Sequence, residues 1–578
     1  MSSTESIRYE TDDRCPPLIA LTVGFQGVAV TITSVVLYVT ITVRAGGQDE
    51  GFLSWAVFAS LVIVGILTAL QASKIRRFGS GHLFIMAVTP TFIAISVLAL
   101  NQGGPELLAS LIVVASLAYL VLAWRLPFMR RVITPAVSGT VLMLIAVTVL
   151  PVALNRVDEV PSSAPDATGP VAALITVVVS AGMTLRVVGF WRLWTPLVGL
   201  AAGCVAVALF GGYEFGSVAD AAWIGVPGSS GFKGFDLTPG ADFWALLPAF
   251  VVVTVVGGIK NIGGSVAIQQ VGWRQPRATD FRLVQGSLNT NGLGVFLSGI
   301  AGTPPATVHT SRTVQLIGLT GVASRYVGYA FGAIYVGLAF LPKLTAVLTT
   351  IPSPVMGAYI LTAVALLFVE GIRTVVQDGL DTQKTMVVGI SFALGVGLDT
   401  QTIFADLLGG TWGVLLDNGV LIGAVVAVLL TVFLDLTSPQ QRERLETELD
   451  LSKLPELDRF LGGLASQMDW SGESALRLRS AGEETLMSLL QSEELESADD
   501  PPQLIVQALL AGDAVELEFL AVFDDENLED RLAYLSEEAE GMEEGEVSLR
   551  LLRHYASSVH HQKYHGLDIV TVNVKGSP

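Results

Sequence analysis

Two basic residues lie in apolar sequence and could bind an anion. Lys260 follows the apolar run 251–259, and Arg312 follows a threonine-rich stretch at 303–311. Lysine and arginine side chains only donate hydrogen bonds, and a charge at the centre of a membrane helix costs at least about 2.5–3.5 kcal/mol. The two positions therefore favour a site for an anion or a hydrogen-bond acceptor. The alternative is a structural role, in which the cations snorkel or pair with internal carbonyl groups or with a carboxylate. The candidate carboxylates near later spans are Glu370, Asp399, Asp406 and Asp417.

Two Thr-Pro sequences interrupt other apolar segments. Thr89-Pro90 and Thr303-Pro304 are not expected inside a regular helix, because proline lacks a backbone donor and clashes with the preceding turn. Half-helices that start inside a membrane direct free N–H groups and positive dipole ends toward the break, which favours an anion or a carbonyl-rich solute. Hydroxyl groups at the breaks, those of Thr89 and Thr307 among them, are predicted to line the same site.

The elements that position these residues are predicted to be membrane-spanning helices. About 20 apolar residues at 1.5 Å per residue cross the hydrocarbon core, and the sequence holds fourteen such segments, of which the third and tenth are interrupted. We predict an all-α polytopic membrane protein at residues 18–434, after a cytoplasmic N-terminus at 1–17 and before an acidic domain at 439–578. The fourteen segments are 18–43, 52–72, 83–100, 106–124, 132–154, 170–188, 194–212, 243–268, 284–301, 312–324, 326–347, 352–371, 384–400 and 412–434.

Charge is distributed unevenly along the chain and indicates an orientation. Of the 52 acidic and 33 basic residues, 30 acidic and 11 basic ones follow residue 437, so the net charge of −19 belongs to the C-terminal part. With the N-terminus in the cytoplasm, the inside loops hold fourteen lysines and arginines and the outside loops hold four, which agrees with the positive-inside rule. We expect a cell (inner) membrane protein with both termini cytoplasmic. A soluble enzyme and a nucleic-acid-binding protein are excluded, since the latter needs a concentrated basic surface.

The two halves of the membrane part resemble each other. Residues 134–139 (Thr-Pro-Ala-Val-Ser-Gly) open the fifth predicted span, and residues 352–357 (Pro-Ser-Pro-Val-Met-Gly) open the twelfth. In each half the third span is the interrupted one. Because seven spans is an odd number, the second half must be inverted relative to the first. Inverted repeats with matching broken helices are typical of secondary transporters, whose site lies near the membrane midplane between the breaks.

Several local sequences resemble the nucleobase–ascorbate transporter family, the uracil and xanthine permeases, over residues 9–434. The most specific is 318–326 (Gly-Leu-Thr-Gly-Val-Ala-Ser-Arg-Tyr), which resembles the downstream half of the family signature. The resemblance implies a core of spans 1–4 and 8–11, a gate of spans 5–7 and 12–14, a substrate between them, alternating access and homodimers. The other similar sequences are 12–17, 24–26, 65–71, 76–81, 342–343 and 351–357.

This chain differs from the resembled family at the implied substrate site. Family members usually carry a base-binding glutamate in the eighth span, where this chain has Lys260, and a glutamate or glutamine in the tenth, where it has Arg312. Replacing acceptors by cations turns a site for the N–H edge of a neutral nucleobase into a site for an acceptor or an anion. The predicted substrate-binding residues are Lys260, Asn261, Arg312, Thr313, Gln315, Gln26, Thr89 and Thr307.

These observations predict a secondary active transporter for a small anion or an anionic purine-like solute, with no enzymatic activity, cofactor or metal. The loss of the family acids also fits a second hypothesis, a non-transporting membrane sensor that signals through its C-terminal domain. The expected partners are the solute, the lipid bilayer, a second copy of the chain and a cytoplasmic protein that binds the acidic domain.

Residues 439–578 are predicted to form a small α/β domain in the cytoplasm. Helical spacing at 454–468 and 475–490 is followed by strand or short-helix segments at 504–510, 514–522 and 567–574. Their order resembles histidine-kinase-type ATP-binding domains of the anti-sigma-factor kind. Because the box at 483–488 lacks the asparagine needed for magnesium, the resemblance implies a degenerate domain with a regulatory or dimerising role.

Overall fold

The computed structural model divides the chain into two compact units. The first, called the membrane unit below, contains most of the chain up to Phe433, and the second contains Trp273–Val284 and Leu434–Pro578. The structure describes residues 7–124, 134–160, 164–187, 191–212, 218–219, 221–227, 234–236, 240–274, 279–377, 382–401, 403–408, 416–437, 442–490, 502–511, 514–522, 555–564 and 567–577.

The membrane unit is helical because its segments are long and apolar and begin with residues that favour a helix N-terminus. Pro17 and Pro135 occupy first turns, where a missing N–H is harmless, and the Asp49 side chain accepts a hydrogen bond from the Phe52 N–H at 2.6 Å. The elements up to the end of this unit are α1 (Pro17–Ala45), α2 (Glu50–Gln71), β1 (Met86–Val88), α3 (Ile93–Trp124), α4 (Pro135–Asn155), α5 (Thr168–Arg186), α6 (Trp191–Leu209), α7 (Ala241–Val271), β2 (Thr279–Asp280), α8 (Phe281–Ala301), β3 (Ala306–Val308), α9 (Thr310–Thr320), α10 (Tyr326–Ala339), α11 (Pro342–Thr349), α12 (Ser353–Gln377), α13 (Thr382–Asp399), α14 (Ile403–Leu408) and α15 (Gly419–Thr437).

Seven helices of the described residues are long and apolar enough to cross a membrane, and a bent pair makes an eighth. The pair is α10 and α11, which meet at 84°. Helix α3 contains Gly104 with φ of 70°, followed by Pro105, so the predicted third and fourth spans meet in one kinked helix. The prediction of a mostly helical membrane protein is confirmed. The start of the last predicted span, 412–415, lies outside the described residues.

The helices of the membrane unit pack mainly in two groups. The first helix group consists of α1, α2, α3, α7, α9 and α10, and the second helix group consists of α4, α5, α6, α12 and α13. Glycines permit close approach inside each group. A Cβ atom on Gly332 of α10 would lie 2.5 Å from the Gly65 carbonyl oxygen of α2, and a Cβ atom on Gly139 of α4 would lie 2.6 Å from the Gly371 carbonyl oxygen of α12.

The second unit contains a six-stranded sheet of the described strands, covered by two helices. The strand order is β2-β7-β8-β6-β5-β4, and the neighbours from β7 to β4 are antiparallel. Buried leucine and valine side chains of the helices and of the central strands form its core. The helical and strand segments predicted here are observed, whereas residues 523–554 lie outside the described part. The elements are β4 (Arg442–Glu448), α16 (Leu454–Gln467), α17 (Gly472–Leu490), β5 (Gln503–Ala511), β6 (Ala514–Val522), β7 (Ser558–Tyr564) and β8 (Leu567–Lys575).

One strand of this sheet comes from far away in the sequence. β2 pairs parallel with β7, Thr279 opposite Gln562 and Asp280 opposite Lys563. In the chain, β2 connects α7, which carries Lys260, to α8. The loop between these two membrane helices therefore supplies an edge strand to the C-terminal sheet.

Candidate functional site

The two broken spans meet as short strands inside the membrane unit. β1 and β3 pair antiparallel, with Ala87 opposite Thr307 at the centre, and all six of their residues are buried. Because the strands run in opposite directions, the chain leaves the crossing in opposite directions, and α9 begins directly after β3. Non-helical backbone at membrane depth is stable only where its polar groups are satisfied, so the partners of these strands decide whether the crossing is possible.

Two threonine hydroxyl groups accept hydrogen bonds from backbone N–H groups at the outer edge of β1. The Thr68 Oγ1 atom of α2 accepts a hydrogen bond from the Met86 N–H at 3.0 Å. The Thr313 Oγ1 atom of α9 accepts one from the Ile85 N–H at 3.1 Å. Thr313 is fully buried, so this predicted substrate residue supports the backbone of the break in the structure.

Side chains of α8 support β3 in the same way. The Asn291 Oδ1 atom accepts a hydrogen bond from the Val308 N–H at 3.0 Å, and the Ser298 Oγ atom accepts one from the Ala306 N–H at 3.1 Å. Thr68, Asn291 and Ser298 are site-supporting residues that were not predicted from the sequence. Each is a polar side chain inside an apolar helix, which the sequence shows. The sequence does not show which backbone N–H group donates a hydrogen bond to that side chain.

Replacing Asn291 by alanine is expected to destabilise the crossing. The Val308 N–H would lose its acceptor in a buried place, which costs about 1–3 kcal/mol. Asn289→Ala is the matched control, because Asn289 lies one half-turn away on α8 and donates to the Arg77 carbonyl oxygen in an exposed contact. Thermal unfolding of the purified proteins checks the prediction. Equal unfolding midpoints for the two variants would contradict it.

The two predicted hydroxyl groups at the breaks lie together. The Thr89 and Thr307 Oγ1 atoms are 3.2 Å apart and form a hydrogen bond between the two broken spans. Both residues are buried. The sequence predicted that both hydroxyl groups line the same site. In the structure the two hydroxyl groups are hydrogen-bonded to each other.

Lys260 forms an ion pair that the sequence left open among several partners. Its Nζ atom lies 3.2 Å from the Glu370 Oε1 atom, and 24% of the lysine side chain and 37% of the glutamate side chain are exposed. Lys260 belongs to α7 of the first helix group and Glu370 to α12 of the second. The ion pair therefore joins the two groups at a partly solvated position.

Arg312 lies in the first turn of α9 and shares a neighbourhood with Lys260. Arg312 interacts electrostatically with His309, Tyr38 and Tyr359, and Lys260 interacts with the same histidine. The rings of the two tyrosines, one on α1 and one on α12, have centroids 5.9 Å apart. Both predicted cations thus act on one small region, which also receives the positive end of α9.

The remaining predicted residues lie around this region in different ways. Asn261 is fully buried, and its Oδ1 atom accepts hydrogen bonds from Ser265 at 3.2 Å and Ser287 at 3.0 Å. Gln315 is exposed on α9, and Gln26 is half-buried on α1. The structure therefore brings the two cations and the two threonines to the break region, while Asn261 bonds within its own helix and to α8.

The arrangement supplies donors and positive charge. Two cations, a helix N-terminus and threonine hydroxyls converge near the strand crossing, and Glu370 is the carboxylate paired with Lys260. Broken, paired half-helices of this kind inside an apolar helical unit define a membrane transporter.

Comparison with known proteins gives the family. Residues 18–404 match the family described as the Permease family, Xan_ur_permease. The chain therefore belongs to this family of xanthine and uracil permeases, which are transporters and not enzymes. It is similar to the uric acid permease PucK of Bacillus subtilis, with 25% identity over 428 residues, 73% of this chain and 96% of that protein. It is also similar to the xanthine permease XanQ of Escherichia coli (strain K12), with 26% identity over 450 residues, 74% of this chain and 93% of that protein.

Among solved structures, the transmembrane domain of the cyanobacterium bicarbonate transporter BicA aligns with 14% identity and a TM-score of 0.42, over 74% of this chain and 100% of that chain.

Proposed function

We propose that this permease is a secondary active transporter of a small anionic, purine-like solute. The observation that carries the proposal is the position of the two cations near the crossing of the broken spans. Arg312 lies in the first turn of α9, directly after β3, and Lys260 lies on α7, which packs against α9. Two cations that only donate hydrogen bonds suit oxyanion or deprotonated ring atoms. Among the relatives, PucK is named for uric acid and XanQ for xanthine. Urate, the anion of uric acid at neutral pH, is the solute that best combines both lines of support.

We also propose that the unit has fourteen spans in two inverted repeats. The antiparallel pairing of β1 with β3 supports this symmetry, because corresponding broken spans then run in opposite directions. The crossing of α4 and α12 supports it as well. Gly139 near the start of α4 approaches Gly371 near the end of α12, and Gly357 near the start of α12 approaches the Ala153 carbonyl oxygen near the end of α4.

Alternating access is proposed to come from motion of a core against a gate. The first helix group corresponds to spans of the implied core, and the second helix group to spans of the implied gate. The positive-inside bias supports cytoplasmic termini in a cell (inner) membrane, and the family resemblance supports a homodimer.

A flux assay in proteoliposomes tests the proposed function. The full chain is reconstituted and challenged with urate, xanthine, uracil, sulfate, bicarbonate and a dicarboxylate. Urate or xanthine uptake above that of protein-free liposomes is expected, with urate preferred over uracil. Uptake of uracil alone would contradict the anion preference, and no uptake of any solute would contradict the transport function.

We propose that the C-terminal unit regulates transport. β2 supports this role, because the loop that follows the Lys260 helix is part of the C-terminal sheet. Removal of residues 439–578 is expected to preserve urate binding, since all the predicted site residues precede them, and to change the rate of urate flux. An unchanged rate would contradict the regulatory role. No flux, together with a cytoplasmic partner bound only by chains that keep residues 439–578, would favour the sensor hypothesis.

A further inference from the structure

The Lys260–Glu370 ion pair has the features of a contact that must break when the two helix groups move relative to each other. It joins α7 to α12, which belong to different helix groups, and both side chains keep partial access to solvent. By contrast, the ion pairs of Arg44 with Glu50, of Arg325 with Asp12 and of Arg156 with Glu159 each lie between helices, or the loops attached to them, of one helix group. A contact between the groups has to change when the groups move against each other, whereas a contact within one group does not.

The Glu370 side chain carries an anionic oxygen, as the proposed solute does. Its carboxylate places an anionic oxygen 3.2 Å from the Lys260 Nζ atom, the position that an oxygen of a bound urate would take. Lysine has three N–H donors on one charge, but two anions beside the same ammonium repel each other. A urate bound to Lys260 and Arg312 would therefore weaken the bond to Glu370.

We propose that Glu370 is the counterion of the unoccupied site and that an anionic solute displaces it from Lys260. The proposal rests on the transport function proposed above and adds a residue that sets both affinity and conformational coupling. With Glu370 on Lys260, the two helix groups are linked. With the solute on Lys260, the link is released, so binding and relative motion of the groups are coupled through one lysine.

The proposal predicts a gain of affinity, which a purely structural ion pair does not. Glu370→Gln removes the competing charge, and urate is expected to bind about two- to fivefold more tightly, since partly exposed ion pairs contribute up to about a fivefold factor. Lys260→Gln is expected to weaken urate binding. Glu370→Gln added to Lys260→Gln is expected to change nothing further, because the competition needs the lysine.

The experiment measures urate and uracil binding to the purified full chain in detergent, together with thermal unfolding without solute. Glu106→Gln is the matched control, because Glu106 is an exposed carboxylate on α3, and it is expected to bind urate as the wild type does. Uracil, uncharged at pH 7, is expected to gain no affinity from Glu370→Gln. Glu370→Asp, which keeps the charge on a shorter side chain, serves as a second variant and is expected to fall between wild type and Glu370→Gln.

The outcomes separate this inference from the proposed function. Weaker or unchanged urate binding by folded Glu370→Gln protein, or an equal gain in the Lys260→Gln background, would overturn the displacement and leave the transport function intact. If the wild type bound no urate, the proposed transport of urate and the displacement would both be wrong.

Discussion

Reversal of either cation is expected to abolish the uptake of urate. Lys260→Glu and Arg312→Glu each remove a charge-assisted hydrogen bond, which contributes about 1.5–3 kcal/mol, and each adds a repulsive carboxylate. The affinity is expected to fall at least about 10- to 100-fold. Urate uptake by proteoliposomes and urate binding to the detergent-solubilised protein check the result.

Two controls separate lost binding from lost folding. Lys343→Glu changes a lysine that lies over the Trp223 ring, 4.9 Å from its centroid, and donates to the Ala219 carbonyl oxygen, so it is expected to keep urate uptake. Lys260→Gln avoids a second carboxylate beside Glu370 and is expected to show the same loss of affinity in milder form. Unchanged urate affinity in both charge-reversal variants would contradict the assignment of the site.

A bulky side chain at Gly332 is expected to prevent α2 and α10 from packing. The Cβ atom of Gly332→Val would lie 2.5 Å from the Gly65 carbonyl oxygen and 3.0 Å from the Ala69 side chain. Backbone atoms cannot rotate away, so the helices must separate, and overpacking in a closely packed interior costs about 1–3 kcal/mol or more. A large drop in the unfolding midpoint and in the yield of monodisperse protein is the expected result.

The control for this substitution lies on the same helix. A Cβ atom on Gly337 would meet no atom within 4 Å, so Gly337→Val adds the same side chain to α10 without a collision. It is expected to keep the midpoint and the yield of the wild type. If the two valine variants behaved alike, the close approach of α2 and α10 would not be a determinant of folding.

The sequence predicted the positions of the broken spans but not their conformation. Proline at 90 and 304 indicated that neither segment is one regular helix. The three residues of each strand, 86–88 and 306–308, are too few to show a periodicity that distinguishes strand from helix. Their strand pairing depends on partners from α2, α8 and α9, which only the tertiary structure brings into reach.

The sequence also predicted the cations but not their environment. Glu370 was one of several acids near later spans, and only the tertiary structure shows that its carboxylate is the one beside the Lys260 Nζ atom. Thr313 and Asn261 were predicted from the aligned family positions, yet their side chains bond to the Ile85 N–H and to two serines. A residue type and position indicate what a side chain can bond, but the fold decides which partner it meets.

In the C-terminal unit, the sequence indicated strand or short helix at the positions of β5, β6 and β8, but it indicated neither β4 nor β7. Residues 442–448 are mostly charged, a composition that predicts no strand. β4 lies at the edge of the sheet, where charged side chains can remain solvated and also discourage pairing with other chains. β7 lies inside the sheet but is also mostly polar, so strands rich in polar residues are the elements that this kind of pattern misses.

The preference for an anion is tested most directly by comparing urate with uracil in one equilibrium binding measurement on the purified full chain at pH 7. The cationic site predicts that urate binds at least about tenfold more tightly than uracil, a difference of about 1.4 kcal/mol, and that Lys260→Gln removes most of this difference. Uracil binding as tight as that of urate, or a preference for urate that survives Lys260→Gln and Arg312→Gln together, would contradict it.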